Sequence, residues 1–189
     1  TPTIGGVGLL RNYKNMITMS FKDIGTQVLL IGKTEGHIDQ SLFARVILDE
    51  KKGPPPEVNL FNEKNNGETL LNLIEKNYIR SAHDISLGGT MTAVSKMCIK
   101  GNKGIKLKKP KYLISEIEYF FGEDQGRYLI EVNPKDLKEV INFLNKNSVH
   151  YDEIGTIIEN VIEINQKTKV TIDELRSYNT SWLKKYMAN

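Results

Sequence analysis

The chain has 189 residues, 39% of them hydrophobic, with 26 basic and 23 acidic side chains and a net charge of +3. That length and apolar content can bury one substantial core, so a single domain is expected. Near-balanced charge, a lone cysteine and the lack of a long apolar run argue against a nucleic-acid footprint, a disulfide framework, a membrane span and a signal peptide.

Residues 1–20 read as an interdomain connector leading into a first strand, with Gly5, Gly6 and Gly8 alternating with Ile4, Val7, Leu9 and Leu10. The sequence starts at Thr1 and not at Met, so it reads as a piece of a longer polypeptide. Such a piece should expose an apolar patch near Ile4–Leu10, where its neighbour docks. Gln27–Ile31 is a near-continuous apolar run ending at Gly32, which suits a strand buried on both faces. Asp39 is expected to cap a helix whose apolar face is Leu42, Phe43, Val46 and Ile47. Pro54-Pro55-Pro56 forbids helix and central strand, hence a stiff surface turn. A second helix carries Leu70, Leu71, Leu73 and Ile74 as its core stripe.

Next, Tyr78, Ile79 and Ala82 lead into His83-Asp84-Ile85-Ser86-Leu87-Gly88-Gly89, and a helical pattern follows at Thr90, Ala93, Val94, Met97 and Cys98. Strand, tight glycine turn and helix start bring backbone N–H groups and the positive end of a helix dipole to one place, which suits an anion. Asp84 and Ser86 stand at i and i+2, on one face of the strand. A carboxylate there can hold a divalent cation, and a hydroxyl can touch a phosphate or the metal. The same residue types are also ordinary cap chemistry at a strand-to-helix turn. His83 and Asp84 should point to opposite faces, so adjacency gives no dyad, and a strand histidine is more often a hydrogen-bonded structural residue. Cys98 reads as a buried, inert thiol and fits a reducing, cytoplasmic compartment.

The lysines between Lys100 and Lys111 lack interleaved aromatics and read as a solvated hairpin edge around a short strand at Ile105 and Leu107. Ile114–Phe121 fits neither period well and is taken as a helical turn. Glu123-Asp124-Gln125-Gly126-Arg127 reads as a polar turn with a surface ion pair of little energetic weight. Tyr128–Val132 is a strand, and Pro134 is expected as the first residue of a helix carrying Leu137, Val140, Ile141 and Leu144. Tyr151–Ile158 and Val161–Ile164 are strands joined by a tight turn at Glu159-Asn160. Thr171-x-x-Glu174 is a capping box opening a short helix, and the tail from Ser181 is expected as a last helical turn anchored by Trp182. Strands alternating with helices give an α/β or α+β class with a mixed sheet.

The segments Pro2–Leu10, Gly36–Phe43, Pro54–Val58, His83–Gly89, Phe121–Ile130 and Ile154–Ile157, in that order, resemble the last domain of the phosphoribosylformylglycinamidine synthase family, synthetase subunit. Ser181–Met187 resembles that subunit's C-terminal tail, and the similarity spans essentially the whole chain. The resemblance implies the C-terminal fold of the AIR synthase-related superfamily. That fold is a mixed β-sheet layered with helices, partly ferredoxin-like, here over residues 21–180, with 181–189 as a tail. It also implies an ATP-dependent C–N ligase of purine synthesis, which converts formylglycinamide ribonucleotide to the formylglycinamidine product with glutamine-derived ammonia. The implied cofactors are ATP and Mg2+. The implied partners are the preceding domains of the polypeptide, a glutaminase subunit and a small bridging subunit.

By the same resemblance Asp84 is a metal contact, and Ser86, Gly88 and Gly89 are nucleotide contacts. No catalytic residue is assigned, because the principal catalytic groups are expected outside this chain. The family usually carries a second Asp just before the glycine pair, where this sequence has Leu87. The rival reading is therefore a non-catalytic architectural or interaction domain with a degenerate nucleotide half-site. A kinase-like relative with another substrate is a third reading, against which Pro54–Pro56 and the C-terminal tail argue.

Overall fold

The apolar run Gln27–Ile31 forms strand β1, with Val28, Leu29, Leu30 and Ile31 all buried. Val28 and Leu30 enter one hydrophobic layer and Leu29 the other, as the alternation of a strand requires. The computed structural model describes residues 3, 5–10, 12–111 and 114–188. After β1 come α1 (Leu42–Val46), α2 (Leu60–Glu75), β2 (Ser81–Ile85), α3 (Gly89–Gly101), β3 (Gly104–Leu107) and α4 (Glu116–Phe121). Then follow β4 (Arg127–Val132), α5 (Leu137–Lys146), β5 (Tyr151–Ile158), β6 (Val161–Ile164), β7 (Thr168–Thr171) and α6 (Ile172–Met187).

Among the described residues the strands form one seven-stranded sheet in the order β2-β4-β1-β5-β3-β6-β7. Every neighbouring pair is antiparallel except β3 with β6. The unit β1-α2-β2 plus β4-α5-β5 is a split βαβ pair, the ferredoxin-like arrangement. The segment α3-β3-α4 is inserted at its middle, and β6, β7 and α6 extend its far side. Leu73 of α2 with Val140 and Leu144 of α5 cover one face of the sheet. Met97 of α3, Phe120 of α4 and Ile172 of α6 cover the other. The mixed, helix-layered α+β fold expected from the sequence is the one observed.

Several local features differ from expectation. Among the described residues of 1–20 there is no strand, only a 3₁₀ turn at Tyr13–Asn15 and a lone bridge from Thr18 to Ser81. The apolar patch expected near Ile4–Leu10 is, by contrast, exposed at Val7, Leu9 and Leu10, while Pro2 and Ile4 lie outside the described residues. The cap of α1 is Ser41, whose Oγ accepts from the Ala44 N–H at 3.1 Å, and not Asp39. Leu42, Val46 and Ile47 are exposed because five residues make little more than one turn, and Ala44 alone of this helix is buried. Pro134 sits in a turn ahead of α5, where Asp136 N–H reaches Asn133 carbonyl at 3.0 Å.

Lys106 belongs to an interior strand, so the lysines guard no edge; the edges are β2 and β7. The turn Glu159-Asn160 joins β5 to β6, but these strands do not pair, because β3 lies between them. The chain steps across the start of β3 at Gly104, where a Cβ would collide with the Val161 backbone. At the C-terminus, α6 runs unbroken through residue 181 to Met187, and Trp182 is 64% exposed, stacked on Tyr186 and not anchored in the core.

One carboxylate holds the segment before β1 onto the sheet. Glu131 of β4 is fully buried. It accepts from the backbone N–H groups of Lys22 (2.9 Å) and Asp23 (3.0 Å) and from the hydroxyls of Thr26 (2.9 Å) and Ser81 (2.8 Å). Burial of a charge is tolerable only with its lone pairs filled in this way.

Two glycines make a paired test of this packing. Gly104→Ala should cost about 2–3 kcal/mol, because backbone and not a flexible side chain stands in the way. Gly67→Ala, inside α2 with Tyr128 Oη no closer than 3.6 Å, should instead stabilise by about 0.5–1 kcal/mol. Urea unfolding midpoints of the two variants measure both.

Candidate functional site

Strand β2 carries the sequence motif to the sheet edge. Ser81 and Ile85 turn inward, while Asp84 and Ser86 are exposed. Asp84, Ser86 and Leu87 line one open cleft of about 290 Å³, together with Glu63, Glu123 and Tyr128. The two residues that the i, i+2 spacing joined therefore face a common cleft and not packed core. The turn that follows demands glycine twice. Gly88 has φ +81° and Gly89 φ +66°. A Cβ on Gly89 would stand 2.7 Å from the Gly122 carbonyl oxygen, and one on Gly88 would meet the Thr92 side chain. α3 then starts with no side-chain cap, so neither Asp84 nor Ser86 is consumed by capping.

The amide at this turn already has an anionic partner. The Gly88 N–H donates to Glu123 Oε1 at 2.8 Å, and the first N–H of α1, from Leu42, donates to the same oxygen at 2.6 Å. The neighbouring Asp124 accepts from the N–H groups of Glu35 (3.2 Å), Gly36 (3.0 Å) and His37 (3.1 Å). Its carboxylate also lies 3.5 Å from Nη1 of Arg127, whose side chain is wholly buried. Arg127 donates from Nε to the Asp124 carbonyl (3.1 Å), from Nη1 to Thr34 Oγ1 (3.1 Å) and from Nη2 to the Gly122 carbonyl (2.6 Å). Burial pulls the Arg127 pKa down and Asp124 opposes that shift. The surface turn expected here is thus a buried polar hub. An arginine opening an apolar strand was the available signal. The amides that fill the carboxylates come from residues 35–37, 42 and 88, too distant in sequence to be foreseen.

His83 and Asp84 meet, against the expectation that adjacency on a strand keeps them apart: Nδ1 lies 3.0 Å from Asp84 Oδ1. β2 is an edge strand, so both side chains can bend around its open side. With Nδ1–H donating to Asp84, Nε2 is left as a buried nitrogen with no partner. Burial lowers the His83 pKa; Asp84 opposes the shift and Lys96 adds to it. Cys98 is fully buried, and burial pushes its thiol pKa up, as an inert thiol requires. Among the described residues no group of three or more His, Cys, Asp or Glu side chains is arranged to hold a metal ion. Position 87, next to the turn, is Leu87, 55% exposed, and offers no second carboxylate beside Asp84.

A family model described as AIR synthase related protein, C-terminal domain, matches residues 23–165. The chain belongs to this family. Within it, the chain is 61% identical over 189 residues to the phosphoribosylformylglycinamidine synthase subunit PurL of Pelagibacter ubique, covering 100% of this chain and 26% of that protein. It is similar in fold to Thermotoga maritima PurL complexed with FGAR, with a TM-score of 0.73 and 19% identity over 86% of this chain and 29% of the other. The T. maritima PurL complexed with ATP gives a TM-score of 0.66 and 19% identity over 86% and 27%. The chain spans about a quarter of the length of the curated relatives it matches.

Two measurements probe the hub and the histidine. Asp124→Ala strands three amides and the buried Arg127 charge, and should cost about 3–5 kcal/mol by chemical denaturation. For His83 the folded pKa lies below the ordinary 6.5, so below 6.5 the unfolded chain binds a proton that the folded chain resists. Stability should fall as pH drops from 6.5 towards the lowered folded value. Urea midpoints at pH 7.5, 6.5 and 5.5 should show a smaller loss in His83→Gln than in the wild type.

Proposed function

We propose that the chain acts as the C-terminal part of a phosphoribosylformylglycinamidine synthase, an ATP-dependent ligase of purine biosynthesis. The observation that carries this reading is 61% identity to a PurL subunit over all 189 residues. In this reading the complete enzyme activates the amide oxygen of formylglycinamide ribonucleotide by phosphoryl transfer from ATP, and ammonia from a glutaminase subunit attacks the amide carbon, the activated oxygen leaving as inorganic phosphate. Preorganised N–H groups and charges would supply most of the stabilisation of such a transfer. The partners would be the remaining domains of the synthase, the glutaminase and a small bridging subunit, in the cytoplasm.

For this chain's own residues, Ser86, Gly88 and Gly89 would form a nucleotide half-site at the cleft mouth, with Asp84 as a single magnesium contact. Support comes from the open cleft that Asp84 and Ser86 share and from the lack of a side-chain cap on α3, although Glu123 holds the Gly88 amide. The described residues do not complete a magnesium site, so the ion would be held chiefly by groups outside this chain, and no step is routed through it. The half-site would position nucleotide, while the principal reacting groups lie elsewhere in the synthase.

Two experiments test this. The 189-residue chain alone should show no ATP hydrolysis dependent on formylglycinamide ribonucleotide, whereas a polypeptide joining it to the other three-quarters of a synthase should; inactivity of that longer protein would sink the reading. In the longer protein, Asp84→Asn should weaken Mg-ATP binding by about three- to tenfold, as expected for loss of one ligand among several. Equal affinity and stoichiometry would leave Asp84 with no metal role and favour an architectural domain.

A further inference from the structure

We propose that the outward half of α6 is a docking face for the remaining part of the synthase polypeptide, which is tethered beside it by the segment leading into β1. Ile172, Leu175, Tyr178, Trp182 and Tyr186 recur at the three- and four-residue spacing of one helix face. The first two hold the helix to the domain: Ile172 is fully buried, and Leu175 packs against the same core layer. Beyond Arg176 the helix leaves the domain, and among the described residues that follow only Ser181 is not exposed. The face that enters the core at the start of α6 thus runs on into solvent still apolar. Trp182 and Tyr186 stack there with ring centroids 5.2 Å apart and planes 13° apart, and Leu183 and Met187 are exposed on their flank.

Such a face is built to be covered. Helices of this length are marginal in water and owe most of their stability to the packing of an amphipathic face. From residue 177 onward this chain supplies almost none. Tyr178, Trp182 and Tyr186 are 72%, 64% and 65% exposed. At about 150–250 Å² per aromatic side chain they leave on the order of 400 Å² open, the size at which an exposed patch marks an interaction site.

The place where the leading segment joins the domain names the occupant. Phe21 lies against the backbone of Gly101 and donates its N–H to the Met97 carbonyl at 3.3 Å. One residue beyond Gly101, Asn102 Oδ1 accepts from Arg176 Nη2 at 2.7 Å. The leading segment and α6 therefore meet the domain at one point, the C-terminal end of α3. Val7 and Leu9 of that segment are wholly exposed, so it too carries apolar side chains that nothing in this chain covers. A body tethered through it is held beside the aromatic face at high effective concentration. A patch of a few hundred Å² falls short of the roughly 800 Å² per partner of a stable free complex but suits an interdomain contact. That favours the tethered occupant over a second copy of the chain or a separate subunit. The curated relatives have the polypeptide to supply it, since this chain spans about a quarter of their length. The occupant is named on the reading of this chain as the C-terminal part of a synthase.

The test is hydrogen exchange of the amides of residues 177–187, in the 189-residue chain and in the polypeptide joining it to the other three-quarters of a synthase. Each is measured as wild type and as the double variant Tyr178→Ser/Trp182→Ser. In the chain alone these amides should exchange fast. In the longer protein they should exchange at least about a hundredfold more slowly, as for a helix end drawn into a packed unit. The double variant should lose that protection in the longer protein and leave the urea midpoint of the chain alone unchanged, because both side chains are exposed there. If the longer double variant does not fold, the two wild-type proteins decide between them. Equal exchange in both wild-type proteins overturns the proposal, as does protection that survives the double substitution. Protection that appears only on adding the glutaminase and the small subunit overturns it too, as does a dimer of the chain alone, seen by sedimentation, that the double substitution abolishes. Slow exchange in a longer protein without synthase activity upholds the docking face and sinks the synthase reading; activity with fast exchange does the reverse.

Discussion

A carboxylate and a guanidinium buried together at the start of a strand constrain everything around them. Asp124 fills its lone pairs with the amides of residues 35–37, and Arg127 spends its donors on Thr34 and on the carbonyls of Gly122 and Asp124. The loop leaving β1 and the loop entering β4 are thereby tied into one body. Neither charge could remain buried without the other, since the desolvation of an unpaired ion far exceeds any single hydrogen bond. With those loops fixed, Gly122 presents its carbonyl to Gly89 at a distance that forbids a side chain, and Glu123 is delivered to the Gly88 turn.

The cleft sits at a seam between two structural units. The ferredoxin-like half supplies β2, β4 and α2, hence Asp84, Tyr128 and Glu63, while the inserted α3-β3-α4 supplies the glycine turn. Glycine at positions 88 and 89 lets an edge strand turn directly into a helix packed against α4 without a loop in between. Asp84 and Ser86 are left facing outward because the helix takes its anchoring carboxylate from elsewhere.

Much of this architecture was legible. β1 announces itself by an unbroken apolar run, β2 and the glycine turn by residues 82–89, and α6 by Thr171 three residues ahead of Glu174, whose N–H the Thr171 hydroxyl accepts at 3.2 Å. That Asp84 and Ser86 share one face followed from strand periodicity; that the face is open to a cleft did not. What escaped the sequence was non-local. β7 has one apolar residue, Val170, and exists because β6 offers it a partner. Glu131 is a carboxylate within an apolar strand and is buried because four donors from residues 22–26 and 81 converge on it. Glu123 and Asp124 looked like a solvated turn for the same reason: the groups that hold them arrive from sequence-distant loops.

The position of β3 has a consequence for how the chain reaches this state. β3 is flanked by β5 and β6, both of which follow it by some fifty residues, and the connector between them passes over its first residue. Until that late segment is in place, β3 has no hydrogen-bonding neighbour on either side. Joining β3 to β5 and β6 closes a loop of some fifty residues, with its entropic cost. Assembly is thus ordered in time by topology. β3, although made before β5 and β6, becomes a strand only when they straddle it.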